Sequence, residues 1–262
     1  MDFHLERAKI VAGLPPLKRR RRGTGAVSLS PDTQLLAMSS FAKIQAAVPA
    51  VSADLSVNVK EAYDQGTEDS CVAFSIAGMQ SIFEQILNNQ WLTFDAEELY
   101  KDNGGTGGNG ISVKAALSWD QTTGLKDLAN GQRYKIQNSA FADPMTAEGI
   151  DAIKSAITAS CPCVLALLLP SDFDDQFGKS GDCNGTVTSD YHQICVIGYD
   201  ADRFTFLNSW GNLWGKKGMG TIAWNFLQLP EQTGSVYAYT TTDTGQPGAK
   251  PFLLKAWTDL SR

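Results

Sequence analysis

The chain is poor in histidine, in cysteine and in long apolar runs. Only two of its 262 residues are histidine, and one of these, His4, sits in a charged leader that suits no precise site. Five cysteines (Cys71, Cys161, Cys163, Cys183, Cys195) cannot all pair and do not form a dense disulfide framework, which speaks against a small secreted scaffold. The longest apolar run, residues 164–169, is strand-sized and far short of a membrane span. At the N-terminus Ile10-Val11-Ala12 soon gives way to Pro15-Pro16 and then to charge, so no signal-peptide core is recognisable. These absences read as a protein made in a reducing, cytoplasmic compartment, with export by a leaderless route left open.

Charge is also missing where nucleic-acid binding would need it. The net charge is −6, yet residues 1–25 hold seven basic side chains (Arg7, Lys9, Lys18, Arg19, Arg20, Arg21, Arg22) against Asp2 and Glu6. That segment carries +5, leaving −11 on the rest. An acidic body under a basic leader is a poor partner for phosphate backbones. Residues 1–45 read as an extension, and its basic run has three readings besides a solvated arm: a localisation-like signal, an anionic partner site or a cleavage point. At 262 residues and 43% hydrophobic, the chain can bury a substantial core, in one large domain or two lobes.

A helix is well specified from Ser70, a candidate N-cap. Val72, Ile76, Met79, Phe83 and Ile86 recur at helical spacing, and Asn88-Asn89 ends the run. A second helix is expected over residues 95–101 with Thr93 as a possible cap, a third over 112–120 and a fourth over 146–159. Strand-like runs follow at 164–168, 194–199, 204–207, 220–224 and 235–241. Helices first and strands later indicate an α+β chain, with a helical lobe over 46–160, a β-rich lobe over 161–242 and a tail over 243–262.

Cys71 falls at the start of the first helix, where unpaired backbone N–H groups and the positive end of the macrodipole favour a thiolate. Such a nucleophile needs a base, an orienting group for that base and donors for an oxyanion. Gln65 lies six residues upstream of Cys71. The remaining histidine occurs in Ser189-Asp190-Tyr191-His192-Gln193-Ile194-Cys195-Val196-Ile197-Gly198-Tyr199, at the mouth of a buried-looking strand. Next comes Asn208-Ser209-Trp210-Gly211-Asn212-Leu213-Trp214-Gly215-Lys216-Lys217-Gly218.

Together these three phrases resemble the papain-like cysteine peptidases, over roughly residues 60–240. The resemblance implies a two-lobe α+β fold, with a helical lobe, a β-barrel-like lobe and the active site in the cleft between. It implies Cys71 as nucleophile, His192 as its imidazolium partner and Asn208 as the group that orients the ring. Trp210 would shield that hydrogen bond, and Gln65 would join the backbone N–H of Cys71 in the oxyanion hole, with Ser70 in support. No cofactor or metal is implied; the partner is a protein or peptide substrate. The short leader becomes a candidate inhibitory segment, making the chain a zymogen.

Other features receive secondary readings. The loop 104–110 contains G-x-G-x-x-G, but a helix-like segment precedes it where a dinucleotide site requires a strand. In the resembling family a glycine pair in this region forms a cleft wall; here either Gly107-Gly108 or Gly110 with its neighbour fits. Tyr191 and Gln193 flank the histidine as further candidates for substrate contact. Cys161-Pro162-Cys163 has the wrong spacing for zinc and reads as structural thiols, whereas Cys183 is expected on the surface. Glu68, Asp69 and Val72 depart from the family pattern around the nucleophile and point to slow turnover and unusual specificity. Two alternatives stay open: a papain-fold binding or inhibitory protein, and a peptide ligase or deconjugating peptidase that uses the same site.

Overall fold

The structure is a computed structural model and describes Gly23 and residues 36–41, 44, 47–241 and 244–245. His4, the run 18–22 and most of the expected tail lie outside the described residues. Three helices form one lobe: α1 (Cys71–Asn88), α2 (Ala96–Asp102) and α3 (Val113–Thr122). Helix α1 ends where predicted, with Asn89 in the left-handed conformation (φ 53°). Two caps differ from expectation. Ser70 holds the N-cap position of α1 without a side-chain capping bond. Asp95, rather than Thr93, caps α2 by accepting the N–H of Glu98, because a carboxylate both fills the orphan donor and complements the dipole.

Helix α1 is buried on nearly every face, more completely than its apolar stripe suggests. Val72, Ile76, Met79, Ile82 and Phe83 are enclosed, and so are the polar Gln80, Ser81 and Glu84. Burial of polar groups requires partners: Gln80 donates to Asp120 of α3 at 2.7 Å, and Asn88 donates to Glu84 at 2.6 Å. Burial pushes the Asp120 carboxyl up to about 7, with the Gln80 bond opposing. A carboxyl raised in the fold binds its proton more tightly there than in the unfolded chain. Its contribution to stability is therefore present at low pH and is lost as pH rises toward and through 7. Asp120→Asn should raise the thermal midpoint at pH 8, by roughly 2–4 kcal/mol of stability, and change little at pH 4. Melting curves across that range check it.

The second lobe is an eight-stranded sheet built from β1 (Ala53–Asp54), β4 (Ser139–Ala142), β5 (Cys163–Pro170), β6 (Asp182–Cys183), β7 (Val187–Tyr199), β8 (Arg203–Leu207), β9 (Met219–Ala223) and β10 (Tyr237–Thr241). Its order is β4-β10-β5-β7-β8-β9-β6, with β1 on β7. The other strands, β2 (Leu125–Lys126), β3 (Arg133–Ile136) and β11 (Thr244–Gly245), make a small separate sheet. Helix α4 (Ala147–Thr158) packs on the large sheet, and α5 (Trp224–Leu227) follows β9.

The segment boundaries shift accordingly. Strand β4 pairs with β10 and α4 lies against β7, so residues 139–158 join the β-rich lobe instead of the helical one. At the other end, Met38 and Ile44 are fully buried and the Leu36 carbonyl accepts the N–H of Phe141. The folded body therefore begins before residue 45. Cys183 is corrected as well. Parallel pairing of β6 with β9 encloses its side chain at 2% exposure, and burial drives its thiol pKa upward. Cys161, Cys163 and Cys195 are also buried. No helix among the described residues is long and apolar enough to cross a membrane.

Candidate active site

Cys71 is the first residue of α1 and is completely enclosed. It stands where the helix presents its orphan N–H groups, so the local field is positive before any side chain is considered. The neighbouring Val72 and Ala73 are fully buried as well, so the helix start belongs to the core.

Across from it, β7 carries His192, also fully buried. Its Nε2 lies 2.9 Å from Oδ1 of Asn208, which directly follows β8. The same Oδ1 accepts the Ser209 N–H at 2.8 Å, which fixes the amide with its oxygen toward the ring. Nε2 must then be the protonated nitrogen, leaving Nδ1 with the lone pair. Nδ1 has no hydrogen-bond partner among the described residues. Burial lowers the His192 pKa to about 4, and the Asn208 bond works against that shift. In this enclosed state the imidazole is neutral.

Trp210 packs against the His192 ring. It is 1% exposed, with its ring centroid 5.1 Å from that of His192, and Phe173 closes the other side at 4.9 Å from Trp210 and 5.6 Å from His192. The phrase after Trp210 is a scaffold. Gly218 (φ 82°) approaches so closely that a Cβ would sit 2.2 Å from the Cβ of Ala62, and its carbonyl accepts the Asn208 N–H at 2.8 Å. Trp214 donates its ring N–H to the Phe173 carbonyl at 2.9 Å.

The segment carrying Gln65 is stitched to this scaffold. Gln65 N–H donates to the Ser209 carbonyl at 2.9 Å, and Gly211 N–H donates to the Tyr63 carbonyl at 2.8 Å. Ser209 Oγ donates to Gln65 Oε1 at 2.5 Å, so the amide is locked with its NH2 pointing the other way. That NH2 meets the carbonyl of Glu68 at 2.8 Å and the carbonyl of Gly23 at 3.1 Å. Ser209 thus ties the Asn208 amide beside His192 to the Gln65 amide. The sequence showed it within Asn208-Ser209-Trp210 but gave no sign of this double role.

The remaining candidates are spread around the cleft. Ser70 is buried and its hydroxyl has no partner among the described residues. Tyr100 holds the glycine loop by donating to the carbonyls of Thr106 and Asn109, both at 2.7 Å. Its hydroxyl pKa is pushed up to about 12 by burial, with Asp69, Glu68 and Cys71 adding to the shift. Gly107 and Gly108 form the exposed turn of that loop and Gly110 is half-buried behind it. Tyr191 also feels Cys71, through a pKa raised by burial first and by neighbouring tyrosines and the thiol after. Gln193 is different: it is fully buried and donates to Ser75 of α1 at 2.7 Å, so it clamps β7 to α1. Glu68 is exposed and Asp69 half-buried. No group of three or more metal-ligating side chains occurs among the described residues.

The helical lobe, the sheet lobe and a cysteine–histidine–asparagine set at their junction define a papain-like fold. The family model for papain family cysteine proteases matches residues 50–238, and the chain belongs to that family. It is 28% identical to "Probable cysteine protease RDL5" of Arabidopsis thaliana over 190 residues, 64% of this chain and 50% of that protein. The chain thus spans about half the length of this curated relative. Among solved structures it is similar to xylellain, a cysteine protease from Xylella fastidiosa (TM-score 0.68, 17% identity, 88% of this chain and all of that one). It is also similar to digestive procathepsin L 3 from the larval midgut of Tenebrio molitor (TM-score 0.64, 17% identity, 91% and 87%). A third is a Carica candamarcensis cysteine protease in complex with E-64 (TM-score 0.62, 20% identity, 75% and 100%).

Proposed function

We propose that the chain is a cysteine peptidase that cleaves peptide bonds through Cys71, with His192 as acid and base. The observation that carries this reading is the Asn208 amide, whose oxygen is held by the Ser209 N–H and faces Nε2 of a buried His192 at 2.9 Å. It leaves Nδ1 as the nitrogen that exchanges protons. In the open cleft Nδ1 takes the thiol proton, and Sγ bonds to the substrate's carbonyl carbon. The carbonyl oxygen gains negative charge and accepts hydrogen bonds from Gln65 Nε2 and the Cys71 N–H. Collapse breaks the C–N bond, and the leaving amine takes its proton from the imidazolium. Water, deprotonated by His192, then attacks the thioester; the acid leaves and the thiol is restored.

Residues upstream of the body are read as an inhibitory segment. Support comes from Gly23, whose carbonyl occupies Gln65 Nε2, and from the full enclosure of Cys71 and His192. Because Met38 and Ile44 belong to the core, the segment ends before them. Truncation after residue 35 should therefore raise activity, whereas removal of residues 1–45 strips core side chains.

Profiling the chain and Cys71→Ala on a library of fluorogenic peptides tests the assignment. Cleavage that vanishes in Cys71→Ala, with both proteins equally folded by circular dichroism, is the expected result. Cleavage that persists in the variant would refute it.

A further inference from the structure

Gly23 occupies the donor intended for a substrate oxyanion, in a slot that has no room for a side chain. The Gln65 amide has two N–H bonds. One goes to the Glu68 carbonyl at 2.8 Å and the other to the Gly23 carbonyl at 3.1 Å, in a buried contact between residues 42 apart in sequence. A Cβ placed on Gly23 would lie 1.7 Å from the Glu68 carbonyl oxygen, 2.2 Å from its carbon and 2.8 Å from the Asp69 nitrogen. All three atoms are backbone of the turn immediately before the nucleophile. That turn is held by the Gln65–Glu68 bond and leads directly into α1, so it cannot swing aside as a flexible side chain would.

We propose that the site selects glycine at the residue whose carbonyl enters the oxyanion hole, and that Gly23 blocks the cleft by meeting this requirement. The inference rests on the peptidase reading and specifies its substrate class: peptides cut on the carboxyl side of glycine. A peptide bearing alanine there must displace the Glu68–Asp69 backbone or lose the Gln65 bond, and either event removes the oxyanion's stabilisation. Glu68 and Asp69 thereby acquire a role in specificity through their main chain. The leader is a pseudo-substrate in this sense, because it presents Gly23 with no side chain where the slot admits none.

The test uses the full chain and its Gly23→Ala and Gly23→Val variants. The rate at which an epoxide-type thiol reagent modifies Cys71 is read by mass spectrometry, beside hydrolysis of matched reporter peptides with glycine or alanine before the scissile bond. Expected are modification at least ~10-fold faster in both variants and glycine reporters cleaved ~100-fold faster than alanine ones, toward the upper end of the roughly 10–200-fold attached to one methylene. Modification at the parental rate in both variants, or equal cleavage of the two reporters, would overturn the proposal while leaving the peptidase reading intact. Failure of Cys71 to react and of every reporter to be cleaved, in all three folded proteins, would sink the peptidase reading and the glycine rule with it.

Discussion

His192→Ala should lower kcat/KM on reporter peptides by ~10⁴-fold or more, the range seen when a member of a catalytic triad is removed. The size follows from how much of the chemistry passes through one ring. Without it the thiol keeps its proton near neutral pH, and the departing amine has no acid. Tyr100 and Tyr191 cannot substitute: both have their pKa values raised by burial, so neither gives or takes a proton readily near pH 7. Histidine placement can be separated from histidine chemistry by Asn208→Ala. That change frees Nε2 and the Ser209 N–H together, so activity should fall less far, with the pH profile displaced as the ring tautomer becomes mixed. Steady-state kinetics from pH 5 to 9 distinguish the two variants. A residual activity of His192→Ala above about one-tenth of the parent would contradict the role.

Gln65→Ala is expected to cost ~10²–10³-fold in kcat with a smaller change in KM, because the lost donor acts on charge that exists only in the transition state. Two opposed effects must be separated. The same amide holds the Gly23 carbonyl, so its removal also loosens the block on the cleft. Measured in the unaltered chain, faster opening would mask part of the catalytic loss. Measured in the Gly23→Ala background, where the block is already weakened, the loss of kcat should appear in full. Ser209→Ala supplies the control: it leaves the Gln65 donor in place but releases its Oε1, so kcat should fall by a smaller factor. If Gln65→Ala leaves kcat unchanged in the Gly23→Ala background, the amide is not an oxyanion donor.

The candidates for this site were legible because they sit in phrases whose local folding is self-contained. Gln65 to Cys71 is a turn feeding a helix, and Asn208 to Gly218 folds back on itself through short-range bonds, so the phrases survive intact in the sequence and carry the resemblance from which the roles were assigned. What escaped depends on contacts between distant segments. Cys183 sits in a polar stretch, and only the parallel pairing of β6 with β9 buries it. Gln193 looked like a pocket residue because it follows His192, but alternate residues of a strand face opposite ways and its amide serves Ser75. Residues 133–136 and 139–142 are short strands mixed with polar residues, and they pair with the distant β11 and β10. The glycine slot was least visible of all, since nothing in Arg22-Gly23-Thr24 announces a carbonyl aimed at Gln65.

The central claim is that Cys71 is a nucleophile activated by position and by His192. Peptide mapping after reaction of the Gly23→Ala chain with a thiol-directed epoxide tests it most directly. Burial raises the thiols of Cys163, Cys183 and Cys195, which removes their thiolate at neutral pH. One adduct, on Cys71, formed rapidly near pH 7 and slowed strongly by adding His192→Ala, is the result this account predicts. Adducts on the other cysteines with Cys71 spared, or a Cys71 rate indifferent to His192, would contradict it.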